Sequence, residues 1–206
     1  MDRRPNAAFI FASALSVLLL ASPAAGAQEK LLDQIYGRFS HVTAASADFT
    51  EVKKSKAFKK EQVQKGRLAS SRNGELVWEI VEPVKSVFSV KGSTAKVVYP
   101  DLDYEKTYDL KTDKALGEVV KNIFSIVGAS GADTLKKSYD YKVEGSWKAG
   151  WKVTLVPKNK QVRKVLKKIV LTITEKDFIT AIQLLEAGGD TTAISFTNIK
   201  LKSGGM

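Results

Sequence analysis

The sequence predicts a mainly β protein of the α+β class: an incomplete, curved antiparallel β-barrel of about eleven strands with an N-terminal helix and an inserted lid helix. Three observations lead to this prediction. Apolar residues recur with a period of two along most of the chain, which is typical of strands. Short, turn-rich segments join the candidate strands, which favours an antiparallel meander over parallel crossovers. Several strands are also apolar on both faces, whereas an antiparallel sheet with one face in water alternates cleanly.

The N-terminal helix is predicted over residues 29–42. Its apolar side chains recur at three- and four-residue steps and therefore share one helix face: Leu31, Leu32, Ile35, Phe39 and Val42. His41, the single histidine of the chain, lies well away from this stripe. We therefore expect the imidazole on the solvent-exposed surface.

The candidate strands account for most of the remaining chain. Six of them precede the inserted helix, at residues 46–56, 62–71, 75–81, 85–91, 95–99 and 104–110. Five follow it, at residues 139–147, 151–157, 167–175, 178–187 and 191–201. Turn residues separate them, among them Gly74, Pro83 and the run Gly188-Gly189-Asp190. Such separators predict tight connections between neighbouring antiparallel strands.

The inserted helix is predicted over residues 113–128. Asp113 is a suitable N-cap and Gly128 stands where a C-terminal cap is expected. The apolar residues between them follow helical spacing: Leu116, Val119, Val120, Ile123, Phe124 and Val127. A weaker helical turn is predicted at residues 133–137.

The strand at residues 75–81 illustrates the two apolar faces. Leu76, Trp78 and Ile80 point one way, whereas Val77 and Val81 point the other. Both faces of the sheet are therefore expected to be partly covered, by helices, by its own curvature or by a ligand. Since eleven strands enclose an interior too wide for side chains to fill, the pattern favours a half-closed barrel around an apolar cavity. An ordinary α+β core remains the alternative.

The N-terminus has the features of an export signal. Arg3 and Arg4 precede an apolar run at residues 7–21, and the run Ala25-Gly26-Ala27 matches a signal-peptidase site. We predict a signal peptide over residues 1–27, cleaved before Gln28, and a single domain over residues 28–206. The alternative is a membrane anchor, but the apolar run is shorter than the roughly 20 residues that a spanning helix needs. In a bacterium, the expected location is the periplasm, as a soluble protein.

The chain is strongly basic, with a formal net charge of +11. Part of this charge lies in a dense run, which we interpret as facing a membrane or a partner: Lys53, Lys54, Lys56, Lys59 and Lys60. Each basic residue near an anionic lipid surface contributes about 1 kcal/mol. The alternative is an ordinary solvated face. Because the chain carries an export signal, nucleic acid is not an expected partner.

The amino-acid composition gives little support for a catalytic function. With one histidine and no cysteine, Ser-His and Cys-His nucleophiles and a zinc site of nitrogen and sulfur ligands are all disfavoured. Asp101, Asp103 and Glu105 alternate in a turn, but Lys106 stands where an EF-hand loop requires glycine. We expect no enzymatic activity, no metal and no cofactor. Without cysteine the chain also lacks a disulfide framework and a site for N-terminal lipid attachment.

Several collinear motifs resemble the LolA-like outer-membrane lipoprotein carrier family. Residues 47–51 look like its A-x-F-x-Q opening strand, and residues 65–68, 74–79 and 83 look like its G-x-L … W-E … P core. The tail at residues 166–198 is similar to its closing hairpins. Together these motifs cover most of residues 29–200. The resemblance implies a curved, incomplete barrel in which helices cover an apolar cavity that holds acyl chains.

The resemblance also implies a function and a site. The function is a periplasmic carrier that delivers lipoproteins, or a related lipid, toward the outer membrane. Its partners would be the acylated cargo, an inner-membrane donor complex and an outer-membrane acceptor, and the protein is expected to be a monomer. We infer the inward face of each strand from the alternation of its apolar residues. On this basis the acyl cavity and its lid comprise Phe49, Leu76, Trp78, Ile80, Phe88, Leu116, Val120, Ile123, Phe124 and Val127.

Two departures from the family pattern indicate a divergent branch. The better-known carriers have a lid-latching arginine just before the core tryptophan, a position that Val77 occupies here. They also continue into a further C-terminal segment, whereas this chain stops soon after Asn198. We expect the helix at residues 113–128 to swing open without that latch. The alternatives are a lipid-responsive sensor or interaction module of the same fold, and a periplasmic hydrolase.

Overall fold

The computed structural model describes residues 25–126 and 131–204, which form eleven antiparallel strands in one open, curved sheet with four helices. The strands are β1 (Val42–Lys54), β2 (Gln62–Ser71), β3 (Leu76–Glu82), β4 (Ser86–Lys91), β5 (Thr94–Tyr99), β6 (Tyr104–Asp109), β7 (Tyr139–Ser146), β8 (Gly150–Pro157), β9 (Leu166–Thr174), β10 (Phe178–Glu186) and β11 (Thr191–Ser203). The helices are α1 (Ala25–Arg38), α2 (Lys114–Ile126), α3 (Gly131–Ser138) and α4 (Lys160–Arg163), and a 3₁₀ turn spans Pro100–Leu102. The predicted fold class is confirmed.

The sheet runs β6-β5-β4-β3-β2-β1-β11-β10-β9-β8-β7 from edge to edge. The first and last strands are neighbours at its centre, and all other strands pair with their neighbours in sequence. A bulge between Ser46 and Asp48 shifts the register of β1 against β11, and Asn198 adopts a positive φ of 52° opposite it. Such bulges bend and twist a strand, so this one contributes to the curvature of the sheet.

The N-terminal helix is the element whose predicted bounds differ most from the structure. It begins at Ala25 and ends at Arg38, instead of spanning residues 29–42. Phe39 and Ser40 close it by donating backbone hydrogen bonds three residues back, to Tyr36 and Gly37. Val42, which was predicted to lie on the helix, opens β1 instead and pairs with Ser203. Its apolar side chain therefore joins the core from a strand. His41 is exposed in the intervening turn, as predicted.

The face of the sheet that packs against the helices is called the inner face below. Cross-strand register places Phe49, Gly66 and Ile80 on one row of this face and Leu68, Trp78 and Phe88 on the next. Apolar side chains from nearly every strand line the inner face and form the core with α1 and α3. On the outer face of β3, where partial cover is predicted, Val77 is 42% exposed and Val81 is half-buried.

Helices α1 and α3 are joined by a charged cluster centred on Lys136. Its ammonium lies 3.2 Å from Glu29 and 2.8 Å from Asp33 on α1, and 3.0 Å from Asp133 on its own helix. The hydrogen bonds to Asp33 and Asp133 raise the pKa of Lys136, so that it stays charged. The cluster therefore links α3 to α1 through side chains that are partly exposed.

Helix α2 covers the inner face of β3, β4 and β5. Its N-terminus is capped as predicted, since the Leu116 backbone N–H donates to the Asp113 carboxylate at 3.0 Å. The contact with the sheet consists of apolar side chains, with Val120 buried against Leu76, Val90 and Ala95. The predicted lid residue Val127 and the predicted cap Gly128 lie outside the described residues.

Gly66 is required by a close approach between β2, β3 and the Phe49 ring. A Cβ at this position would lie 2.5 Å from Cζ of Phe49 and would overlap the backbone oxygen of Glu79. We expect Gly66→Ala to lower the free energy of unfolding by about 3 kcal/mol, measured by urea denaturation, because neither neighbour can retreat without disturbing the sheet. Gly37→Ala is the control, since nothing lies within 4 Å of its Cβ in α1 and alanine favours a helix. An equal loss in both variants would contradict the steric explanation.

Candidate functional site

Three aromatic side chains form the centre of the inner face. The ring of Trp78 lies 4.5 Å from that of Phe49 and 6.5 Å from that of Phe196, as measured between centroids. Phe49 and Phe196 are directly opposite each other on β1 and β11. The cluster therefore joins the two halves of the sheet and offers a rigid, apolar floor to anything that packs on it.

Two small cavities lie along the central strands of the sheet, and α1 lines only the first of them. Each has a volume of about 50 Å³. Tyr36 and Phe39 of α1 line the first, and Leu68 and Phe196 of the sheet line the second. Phe178 lies between them and contributes to both. The second cavity is almost wholly apolar, as a site for hydrocarbon must be.

The two cavities are too small to hold an acyl chain in this conformation. An engineered cavity of about 150 Å³ holds one benzene molecule, so about 50 Å³ cannot accommodate ten or more methylenes. Leu32, Ile35 and Tyr36 of α1, with Phe39 just after it, pack in the core on the inner face, where the apolar cavity is predicted.

Long-range hydrogen bonds attach both α1 and α2 to other parts of the fold. The Gln28 side-chain amide of α1 donates to the Val143 carbonyl and accepts from its N–H, on the edge strand β7. Leu32 and Ile35 are fully buried beneath it. Helix α2 accepts a long-range hydrogen bond from the Tyr36 hydroxyl, which donates to the Ile126 carbonyl at 3.1 Å. Burial raises the pKa of Tyr36 well above its usual range, which keeps this hydroxyl protonated as a donor.

The structure places the described cavity and lid residues on two facing surfaces. On the sheet, Phe49 and Leu76 are buried, whereas Trp78, Ile80 and Phe88 are half-buried on the same inner face. On α2, Val120 is buried and the other three are half-buried: Leu116, Ile123 and Phe124. Leu76, Phe88 and the α2 residues belong to one apolar cluster, while Phe49, Trp78 and Ile80 belong to the larger core.

The structure places Val77 on the outer face of β3, away from the helices on the inner face. The arginine that does bridge toward the helices is Arg72, whose guanidinium donates to the Ser40 carbonyl just after α1.

The lysine run at residues 53–60 does not form a single surface. Strand alternation directs Lys53 inward, 2.9 Å from Glu186, whereas Lys54 points outward, 2.7 Å from Glu61. Lys56, Lys59 and Lys60 are exposed around the β1–β2 turn. Two positions before Lys53 on the same side of β1, partial burial raises the pKa of Glu51, and the charge of Lys53 opposes the rise.

A second basic segment, at residues 158–168, was not singled out by the sequence reasoning. It contains six lysine or arginine residues and no acidic one. Helix α4 lies within it, capped by the Asn159 carboxamide, which accepts from the Gln161 and Val162 backbone N–H groups. A count of charges in a sliding window would have found it. Its proximity to the first lysine run is visible only in the fold.

An open, curved antiparallel sheet with helices laid across an apolar inner face defines the chain as a half-barrel protein with helical lids. Residues 40–204 match the family model described as "Outer membrane lipoprotein carrier protein LolA", and the chain belongs to this family. None of the helices within residues 25–126 and 131–204 has the length and apolar character needed to span a membrane.

Individual relatives are distant in sequence. The outer-membrane lipoprotein carrier protein of Dechloromonas aromatica is 27% identical over 169 residues, which are 82% of this chain and 76% of the relative. That of Ralstonia nicotianae is 27% identical over 194 residues, covering 91% and 85%.

Similar solved structures include a LolA superfamily protein from Nitrosomonas europaea, with a TM-score of 0.45, 12% identity and coverage of 86% of this chain and 94% of that chain. They also include lipoprotein LppX from Mycobacterium tuberculosis, with a TM-score of 0.47, 12% identity and coverage of 85% and 96%.

Proposed function

We propose that this protein is a periplasmic carrier that shelters the acyl chains of lipoproteins, or of a related lipid, against its inner face and delivers them toward the outer membrane. The observation that carries the proposal is the apolar contact between α2 and β3–β5, in which Val120 packs among Leu76, Val90 and Ala95. The names of the related carriers support the same activity. No catalytic step is part of the proposal.

The energetics of acyl chains explain why such a contact suits a carrier. Transfer of one methylene from water to an apolar site is favourable by about 0.8 kcal/mol. For an acyl chain of about fifteen methylenes, the transfer free energy is therefore roughly 12 kcal/mol. When α2 moves away and an acyl chain takes its place, the side chains that α2 covered exchange one apolar partner for another. This exchange is nearly neutral, since apolar contacts are non-directional. Cargo can thus enter and leave without a large barrier.

The remaining parts of the proposal concern the route of the protein. The signal peptide over residues 1–27 would direct export and be cleaved before Gln28, leaving residues 28–206 as the carrier domain. The carrier would act as a monomer, receive cargo from an inner-membrane complex and pass it to an outer-membrane acceptor. The side chains that hold the acyl chain would be those of the inner face, with Ile80, Phe88 and Phe124 among the half-buried ones.

Mass spectrometry of organic extracts tests the proposal. We expect the protein, purified gently from the periplasm of its native host, to release an acylated species in stoichiometric amount. Ile80→Asp, which places a charge on the inner face, is expected to reduce the bound lipid more than tenfold. Val77→Asp is the matched control on the outer face of the same strand and is expected to keep its lipid. A wild-type protein that is empty and also takes up no lipid or lipoprotein would overturn the proposal.

A further inference from the structure

The exposed large apolar side chains are concentrated at one end of the sheet. Because neighbouring strands are antiparallel, the β1–β2, β3–β4, β5–β6 and β8–β9 connections all lie at the same end. In the part of the chain that the structure describes, seven large apolar side chains are exposed: Phe58, Val63, Val77, Val84, Leu102, Tyr104 and Val165. All but Val77 lie in or beside these connections. An apolar concentration of this kind marks an interaction surface.

Two of these apolar side chains stand within the most basic part of this end. The β1–β2 turn carries Phe58, and the Lys56 backbone N–H in the same turn donates to Asp190 in the β10–β11 turn at 3.2 Å. On the other side of that turn, the Ala187 N–H donates to the Val165 carbonyl at 2.9 Å. The three segments at residues 53–61, 158–168 and 186–190 are therefore neighbours, and we call them the basic rim.

The basic rim has a large excess of positive charge. It contains eleven lysine or arginine residues and three acidic ones. Two of the acidic residues, Glu61 and Glu186, pair with Lys54 and Lys53. The lysines nearest to Phe58, namely Lys56, Lys59 and Lys60, are exposed to solvent. The rim therefore presents positive charge around apolar side chains that are 53% exposed at Phe58 and 67% exposed at Val165.

We propose that the basic rim docks on an anionic lipid surface, with Phe58 and Val165 inserted among the headgroups. Charge complementarity favours this partner, because clustered basic residues attract anionic lipids. Both apolar side chains project from connections between strands instead of lining a groove. Ten of the eleven basic residues are lysines, whereas arginine is the residue that recognises protein carboxylates in a fixed geometry. Exposed aromatic and aliphatic side chains beside lysines are the features that bind a membrane interface.

The position of the rim connects it with the inner face. Helix α2 covers the inner face near Leu76, Val90 and Ala95, which lie away from the rim. Toward the rim, Ile80 and Tyr99 on the same face are only half-buried. Docking would therefore bring the uncovered end of the inner face to the lipid surface. In this respect the inference rests on the proposed carrier function and adds the surface at which cargo would cross.

Flotation of the purified protein with lipid vesicles tests the proposal. We expect binding to vesicles of phosphatidylethanolamine with phosphatidylglycerol, weakening as salt is raised, and little binding to vesicles of phosphatidylcholine alone. The triple variant K56Q/K59Q/K60Q is expected to bind about 100-fold more weakly, since each charge contributes roughly fivefold. Phe58→Ser is expected to weaken binding about tenfold.

Matched controls lie at the opposite end of the sheet and on the outer face. K111Q/K148Q/K176Q removes the same charge from exposed lysines in or beside the far connections, and Val77→Ser removes an exposed apolar side chain outside the rim. Both are expected to bind as the wild type does. Equal losses in the control triple variant would overturn the proposal, as would a wild type that binds an acidic protein but no anionic vesicle. If the protein binds no vesicles but still releases lipid on extraction, the docking proposal fails and the carrier proposal stands. If it binds vesicles but releases and takes up no lipid, the docking proposal stands and the carrier proposal fails.

Discussion

Crosslinking α2 to the sheet is expected to abolish uptake and release of acyl cargo. The variant carries Val120→Cys on α2 and Val90→Cys on β4, two buried positions of one apolar cluster, and a short bifunctional thiol reagent joins them. Both substitutions change the side-chain volume little, and the chain has no other cysteine to react. Because α2 packs its apolar side chains on the inner face of β3–β5, we expect that a chain cannot enter between them while the helix is fixed. Exchange of a fluorescent fatty acid measures the effect, and we expect at least a hundredfold decrease in rate.

The two single-cysteine variants, treated with the same reagent, are the controls and are expected to exchange cargo at the wild-type rate. Intact mass and a proteolytic digest establish that the crosslink has formed. Undiminished exchange in the crosslinked protein would mean that α2 is not the gate and that α1, with its Tyr36 and Phe39 side chains over the cavities, moves instead. Cargo trapped before crosslinking should remain bound, which separates a closed gate from a damaged site.

Phe49→Ala is expected to lower the free energy of unfolding by about 3–5 kcal/mol. Its ring is 2% exposed and packs on Trp78 and over Gly66, at the junction of the two halves of the sheet. Removal of a buried aromatic ring costs its transfer free energy and leaves a cavity that a rigid sheet cannot close. Urea denaturation followed by tryptophan fluorescence measures the loss, and Trp78 reports directly on the packing of this cluster.

Val77→Ala is the matched control for this substitution. It also removes apolar atoms from the central strands, but from a side chain on the outer face that is 42% exposed. We expect a change within about 0.5 kcal/mol, as is usual for surface positions. A loss in Phe49→Ala no larger than that of the control would mean that the aromatic cluster does not hold the two halves of the sheet together.

The elements of the fold were largely predictable because their signals are local. β2 has the predicted bounds, residues 62–71, and α2 lies within its predicted range, with Asp113 as its cap. The period-two pattern and the turn residues required no knowledge of the rest of the chain. The helix α1 was misplaced at its C-terminal end because Phe39 and Val42 continue the apolar spacing. Backbone hydrogen bonds between residues 36 and 40 end the helix all the same.

The candidate site was predictable in composition but not in arrangement. Alternation along β3 paired Leu76 with Trp78 and Ile80, and the register places all three on the inner face. It could not tell how far each face is covered, and Val77 on the outer face is 42% exposed. The long-range contacts of Gln28 with Val143 and of Tyr36 with Ile126 join residues about 90 or more positions apart, and no spacing rule connects them.

By itself, the sequence determined which segments become strands, which helices are amphipathic and where positive charge is dense, since propensity, periodicity and composition act over a few residues. Only the tertiary structure decided how much space the inner face retains, because that depends on how α1 fills the curve of the sheet. It also decided that residues 53–61 and 158–168 share one end, since the β10–β11 turn brings them together. Packing and proximity are properties of the folded sheet, and no local pattern encodes them.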